Sequence, residues 1–194
     1  MSVFSVRTTT PVDEASAIAT VVLAFSTDPV ARWCWPDPHQ YVENMPGFIR
    51  AFAGGAFKHN GALCSDDHAG AALWLPPNVH SDEEALGDIL QRTLTEGVRG
   101  DLSAVFEQLA GYHPVVPRWY LPMIGVDTVH QGKGYGSALM KYALERCDRE
   151  HLPAYLESTN PKNISLYQRH GFEALATVQE GTSPPFVPMA RERR

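Results

Sequence analysis

Apolar and polar positions alternate from Val3 to Arg7, as they do along a short strand. From Val12 to Phe25 the period becomes helical, with Ala15, Ile18, Ala19, Val22 and Phe25 on one face and Pro11 just ahead, where a helix tolerates proline. Asp28-Pro29 interrupts the pattern, and Trp33-Cys34-Trp35-Pro36-Asp37-Pro38 carries too much proline for regular helix. A second helix is predicted over His39 to Phe57. Ala62 to Cys64 and Ala69 to Leu75 predict paired strands around the turn Ser65-Asp66-Asp67-His68, and Pro76-Pro77 ends the second. Ser81-Asp82-Glu83-Glu84 has the form of a capping box, followed by a helical stripe of Leu86, Ile89, Leu90 and Leu94. Leu102, Val105, Phe106 and Leu109 mark another short helix before Gly111 and Pro114.

Trp119 to Val126 reads as a buried strand in which Pro122 denies the ladder one donor and favours an irregular spot. A glycine-rich turn leads into a helix from about Gly136 to Arg149, with Met140, Ala143, Leu144 and Cys147 on one face. Pro153 to Ser158 is a strand. Asn160-Pro161 supplies an N-cap and a first-turn proline, and Gly171 stands where a glycine ends the helix after His170. Phe172 to Val178 and Phe186 to Met189 are the closing strands. This order predicts an α/β chain with helices layered on a mixed sheet, in one domain spanning 1–194.

Composition narrows the function classes. With 194 residues, 44% of them hydrophobic, one core can bury about 70% of the unfolded surface without disulfide or metal support. Sixteen Lys+Arg against twenty-two Asp+Glu give a net charge of −6, which argues against a general nucleic-acid binder while leaving room for a local basic pocket. Cys34, Cys64 and Cys147 are far apart and read as buried thiols in a reducing compartment. The first ten residues lack a basic stretch followed by an apolar one, and the longest apolar run, Ala17 to Phe25, is too short to span a bilayer. The expectation is a cytoplasmic protein with no membrane partner. There is no spaced His/Cys/Asp set for a metal and no serine nucleophile elbow.

Chemistry concentrates between the strand ending at Val126 and the helix after it, in His130-Gln131-Gly132-Lys133-Gly134-Tyr135-Gly136-Ser137. Alternating glycines let the backbone fold tightly and aim successive N–H groups at one spot beside the positive end of a helix dipole, which suits a pyrophosphate. Taken alone the turn is equally an exposed strand-to-helix connection. It is not a P-loop, because Lys133 is followed by Gly134 and Asp127 stands where the first glycine belongs. Nor is it a dinucleotide fingerprint, since the spacing is G-x-G-x-G with Ser137 in the last glycine's place.

Gln131-Gly-Lys-Gly-Tyr-Gly136 after a strand resembles the acetyl-CoA pyrophosphate loop of the GNAT superfamily of N-acetyltransferases, whose pattern is Gln/Arg-x-x-Gly-x-Gly/Ala. Farther along, the family's strand, Asn-containing turn, Tyr-bearing short helix and Gly-Phe are matched by Leu156-Glu-Ser-Thr-Asn-Pro-Lys-Asn163-Ile-Ser-Leu-Tyr167-Gln-Arg-His-Gly171-Phe172. Trp119-Tyr-Leu, Gly125-Val126, His130-Gln-Gly-Lys-Gly, Pro153-Ala-Tyr-Leu-Glu157 and Tyr167 to Phe172 resemble the puromycin N-acetyltransferase-like branch in particular. The resemblance implies a central mixed sheet of about seven strands flanked by helices, with two extra helices before the cofactor-binding strand.

It also implies roles. Acetyl-CoA is the cofactor. Gly132, Gly134, Gly136 and Ser137 would donate N–H bonds to its pyrophosphate, within a loop that includes Tyr135, with Gln131 and Lys133 adding side-chain or backbone contacts unless Lys133 is merely solvated. Ile124, Gly125 and Val126 resemble the segment that pairs with the pantetheine arm like an added strand, and Pro122 the irregularity that admits it. Asn163 matches a pantetheine-bonding position, or else caps a helix. Tyr167 matches the phenol that protonates the departing thiolate, or else packs in the core. Glu157 is a base, an ammonium anchor or a structural carboxylate; Tyr120 stands where some relatives carry a catalytic Glu. His113 and His130 read as turn histidines, His130 shaping the loop. Asp28, Trp33, Trp35, Trp119 and Tyr120 are the expected acceptor contacts, the tryptophans stacking on an aromatic or cationic substrate or simply pinning a loop. The implied reaction is direct transfer to a small-molecule primary amine by a monomer or homodimer. The alternatives are a protein N-terminal or lysine acetyltransferase, and a non-catalytic acyl-CoA-binding regulatory module.

Overall fold

The computed structural model describes residues 4–194. Its strands are β1 (Val6–Thr8), β2 (Ala62–Ser65), β3 (Gly70–Leu75), β4 (Trp119–Val126), β5 (Ala154–Ser158), β6 (Glu173–Ala174) and β7 (Val187–Arg191). The helices are α1 (Glu14–Phe25), α2 (Pro29–Cys34), α3 (Pro38–Ala53), α4 (Gly55–Lys58), α5 (Glu83–Thr93), α6 (Glu96–Ala110), α7 (Tyr135–Arg149) and α8 (Ile164–Arg169). The seven strands form one mixed sheet in the order β1-β2-β3-β4-β5-β7-β6. Only β4 and β5 run parallel, as the crossover through α7 requires. Two apolar layers cover its faces: α1 to α3, α5 and α6 close over one around Ile18, Ile49 and Leu73, and α7 with α8 over the other around Trp74, Leu139 and Phe172.

The irregularity expected at Pro122 is a bulge. β3 pairs Leu73 with Met123 but Leu75 with Tyr120, so β4 carries an extra residue at Leu121-Pro122. The side-chain alternation flips there, with Leu121 packing in the α7 layer and Met123 in the α1 layer. On the other edge, β4 pairs with β5 only through Trp119↔Ala154 and Tyr120↔Tyr155. Beyond that point the two strands part.

Several local expectations need correction. Val3 lies outside the described residues. The buried stripe of α1 is Ala17, Ile18 and Val21 with Thr20, while Ala15 and Ala19 are exposed, because α1 lies so close to β4 that a Cβ on Gly125 would meet the Ala24 Cβ at 2.6 Å. Trp33 and Cys34 are helical in α2, whose N-cap Asp28 accepts from the N–H groups of Val30 and Ala31 ahead of a first-turn proline. The helix expected over His39 to Phe57 starts at Pro38 on the Asp37 cap and gives way to α4 after Gly54. Ser81 caps nothing: its hydroxyl donates to the Phe52 carbonyl, and Asp82 is the α5 N-cap. The strand expected from Phe172 to Val178 shortens to Glu173-Ala174 and a bridge between Val178 and Phe186. Cys34, Cys64 and Cys147 are free thiols.

Candidate active site

The glycine-rich loop connects β4 to α7 in left-handed steps, with φ of +74° at Gly132 and +93° at Gly134. No neighbouring atom lies within 4 Å of where either Cβ would sit, so dihedral angle rather than space demands glycine. Gly136 is different, since a Cβ there would press Leu166 of α8 at 3.2 Å. Among the described residues no acceptor takes the N–H groups of Gly132 to Ser137, which open to solvent at the start of a fifteen-residue helix. Such a row of unused donors fits an anionic group. The Gln131 amide donates to the Val126 carbonyl at 3.2 Å, bracing the loop, and Lys133 is exposed.

Two side chains of the loop point away from this cradle. The Tyr135 hydroxyl donates to Asp67 at 2.6 Å while its ring stacks on Phe4, so the side chain takes no part in the cradle. Ser137 and His170 Nε2 lie 2.9 Å apart, joining the first turn of α7 to the end of α8. Burial, then the charges of Arg169 and Arg191, lower the pKa of His170, which favours the neutral ring. His130 packs edge-on against Tyr135, as expected of a residue shaping the loop.

Where β4 and β5 part, a cleft of about 630 Å³ opens. Ile124, Asn163, Tyr167 and Glu157 all face into it, as do Asp28, Trp35 and Tyr120. Asn163 makes no capping bond to α8, which removes its simplest structural role. Tyr167 is 5% exposed, and burial first, then the nearby charge of Asp28, push its phenol pKa upward. Asp28 is saturated: Oδ1 accepts from Val30 and Ala31 at 3.0 Å each, and Oδ2 from the Thr159 hydroxyl at 2.7 Å. Those bonds oppose the rise that burial imposes on its own pKa.

Glu157 is part of a chain of contacts. Arg118 Nη2 lies 2.6 Å from His113 Nδ1, and His113 Nε2 lies 2.9 Å from Glu157 Oε1. A guanidinium only donates, so Nδ1 accepts and Nε2–H donates to the carboxylate. This tautomer makes His113 a brace for Glu157, not a solvated turn residue. The other two members of the cluster are Tyr120 and Tyr155. His113 lies over Tyr155 with ring centroids 4.6 Å apart. Burial, then the Glu157 charge, raise both phenols, which therefore stay protonated.

Two expected acceptor contacts fail. Trp119 lies on the opposite face of the sheet, 3% exposed, its indole donating to Glu150 at 2.7 Å beneath the Arg146 guanidinium. The extra residue at Pro122 decides which side of β4 each residue faces, and Tyr120 rather than Trp119 has the cleft. Trp33 donates to Thr182 outside the cleft. Trp35 does line it, but as a buried wall pinned to Thr93. Helices α5 and α6, the two extra helices before β4, supply its far wall through Leu86, Leu90, Leu102 and Phe106. Their apolar stripes carried that signal, but a stripe does not say whether it meets core or cleft.

A sheet that splays ahead of a donor-lined loop is the geometry of the site, and comparison with known proteins points to the acetyltransferases. Residues 100–172 match the family model of the acetyltransferase (GNAT) family. An uncharacterized N-acetyltransferase of Schizosaccharomyces pombe is 27% identical over 197 residues, covering 93% of this chain and 80% of its own length. A Corynebacterium glutamicum structure described as histone acetyltransferase HPA2 and related acetyltransferase superposes with a TM-score of 0.72 at 23% identity, over 100% of this chain and 98% of that one. Arylalkylamine N-acetyltransferase 2 from Aedes aegypti gives 0.67 at 15% identity, over 98% and 99%. The chain has the GNAT fold, and these matches support its membership of the GNAT acetyltransferase family. Among the described residues no helix is long and apolar enough to cross a membrane.

Proposed function

We propose that residues 1–194 form one GNAT domain that transfers an acetyl group from acetyl-CoA to a primary amine of a small molecule, directly and without a covalent enzyme intermediate. The observation that carries this reading is that β4 leaves β5 after Tyr120 and runs on into the free N–H groups of Gly132 to Ser137, while Tyr167 and Glu157 line the cleft that the parting opens. The loop N–H groups would hold the pyrophosphate, Ile124 to Val126 and Asn163 the pantetheine arm. When bound, acetyl-CoA supplies the thioester carbonyl that the amine attacks. Glu157, held by His113, accepts the proton of the incoming ammonium. Tyr167 keeps its proton at Oη because burial opposes the phenolate; as the new C–N bond forms and the C–S bond breaks it would donate that proton to the departing sulfur, and the second proton lost by the nitrogen would restore the phenol. The reading carries with it a cytoplasmic enzyme of the puromycin N-acetyltransferase-like branch, acting as a monomer or homodimer on a free amine.

The test is thiol release from acetyl-CoA across a panel of amines and peptides. Release with a small amine and not with peptides is expected; faster acetylation of peptides would reassign the acceptor to protein. Acetyl-CoA binding without transfer to any acceptor would reduce the chain to a binding module.

A further inference from the structure

The chemistry of the acceptor follows from the charges in the cleft, granted the acetyltransferase reading above. At its inner end stand two carboxylates, Asp28 and Glu157, and one guanidinium, Arg118. They sum to a single negative charge. Asp28 is already spent, both oxygens accepting from Val30, Ala31 and Thr159. Glu157 accepts from His113 through Oε1, with the Tyr120 and Tyr155 phenols beside it, and its second oxygen retains lone pairs for a cation. The inner end is therefore matched to one ammonium group.

Outward from Glu157 the walls are apolar. Phe48 and Phe52 of α3, Leu86 and Leu90 of α5 and Phe106 of α6 face the cavity, and Val116 lies at its mouth, 50% exposed. The next carboxylate, Glu83, is exposed at the rim. A second cation on a short substrate would lie against these apolar side chains without a partner, which is costly.

We propose that the acceptor is a primary amine with a single positive charge on an apolar aliphatic or aromatic body, and that the cleft rejects short diamines. Glu157 takes the ammonium and its proton, the cleft walls take the body, and the cap formed by α5 and α6 is the specificity element. Among the described residues, a cation beyond the first finds no carboxylate between Glu157 and the rim except Asp28, whose oxygens are already taken.

Three probes separate charge from size: n-pentylamine, 2-phenylethylamine and 1,4-diaminobutane. The first and third have equal heavy-atom length and differ by a terminal methyl in place of an ammonium. Calorimetric binding to the full chain, with and without CoA, and acetylation kinetics with acetyl-CoA are both measured. The expected result is roughly 30-fold or greater preference for either monoamine over the diamine in Kd and in kcat/KM. Phe106→Glu, at a position 36% exposed, and Leu90→Glu would each place a carboxylate in the wall and should narrow that ratio at least about fivefold. Equal or tighter binding of the diamine overturns the proposal, and so does failure of both monoamines to bind. Monoamine preference in the binding arm without acetyl transfer would sustain this inference while removing the acetyltransferase reading.

Discussion

The two ends of the proposed site, the loop assigned to the cofactor and the cleft assigned to the acceptor, are built by different means. At the cofactor end, one continuous segment from β4 through the loop into α7 presents main-chain donors, and glycines set their direction. At the acceptor end, α2, α3, α5, α6 and β5 each contribute a few side chains to one wall. The first end is specified locally, by residues adjacent in sequence; the second exists only after segments far apart have packed. A backbone site tolerates many side chains but few dihedral changes, whereas a side-chain site has the opposite sensitivity.

The largest effect should come where the two ends meet. Tyr167→Phe removes one oxygen from a buried ring and leaves its packing against Phe172 intact. Loss of a general acid predicts a fall in kcat of about 100- to 10,000-fold, with acetyl-CoA affinity changed only a few-fold. Steady-state kinetics and calorimetry check the split. An unchanged kcat would remove Tyr167 from the chemistry.

Gly134→Ala attacks the cofactor end by dihedral angle alone, since nothing crowds its Cβ. Strain of about 1–3 kcal/mol at positive φ predicts roughly 5- to 150-fold weaker acetyl-CoA binding, with amine affinity unaltered. A parallel loss of amine affinity would erase the distinction between the ends.

His113→Gln acts at the acceptor end through Glu157. A positioning role predicts a kcat reduced about tenfold with an altered pH–rate profile, and acetyl-CoA affinity held. If only thermal stability changed, His113 would be part of the framework and nothing more.

The same division governs what the chain disclosed before its fold was known. The turn at the loop, Asn160-Pro161 and Gly171 were legible because each owes its conformation to neighbours within a few residues, as does the bulge at Pro122. The side of β4 was not legible: one extra residue turns Trp119 away and Tyr120 inward, and alternation carries no mark of a bulge's consequences. Arg118 and His113 sit five apart near a strand start, an unremarkable pair until β5 brings Glu157 beside them. The α1 stripe was misread because Ala and Val suit both of its faces, and the close approach to Gly125 chose between them.

Asp28→Ala should lower stability by about 1 kcal/mol or somewhat more, because it removes the α2 cap and the tie to Thr159 together. Burial already disfavours this carboxylate's charge and offsets part of that loss. Urea unfolding checks the value. Acetyl-CoA affinity should be untouched, as Asp28 belongs to the acceptor wall.

The smallest effect concerns how the cofactor end is held from outside. Burial opposes ionisation of Asp67, but its bonds from Tyr135, Ser65 and the Ala69 N–H prevail and lower its pKa from 3.8 to about 2. A depressed folded pKa means that the stabilisation is complete above 3.8 and is lost as pH falls through about 2. Other carboxylates, Asp13 and Asp148 among them, are lowered as well, so the acid limb of the wild type alone reports their sum. Tyr135→Phe isolates the one bond, keeping the ring stacked on Phe4 while removing its hydroxyl. The difference in melting temperature between wild type and variant should be constant down to about pH 5 and shrink toward about pH 2. A difference that persisted undiminished in acid would mean that the tyrosine hydroxyl owes nothing to the Asp67 charge, and that the loop is anchored by ring packing alone.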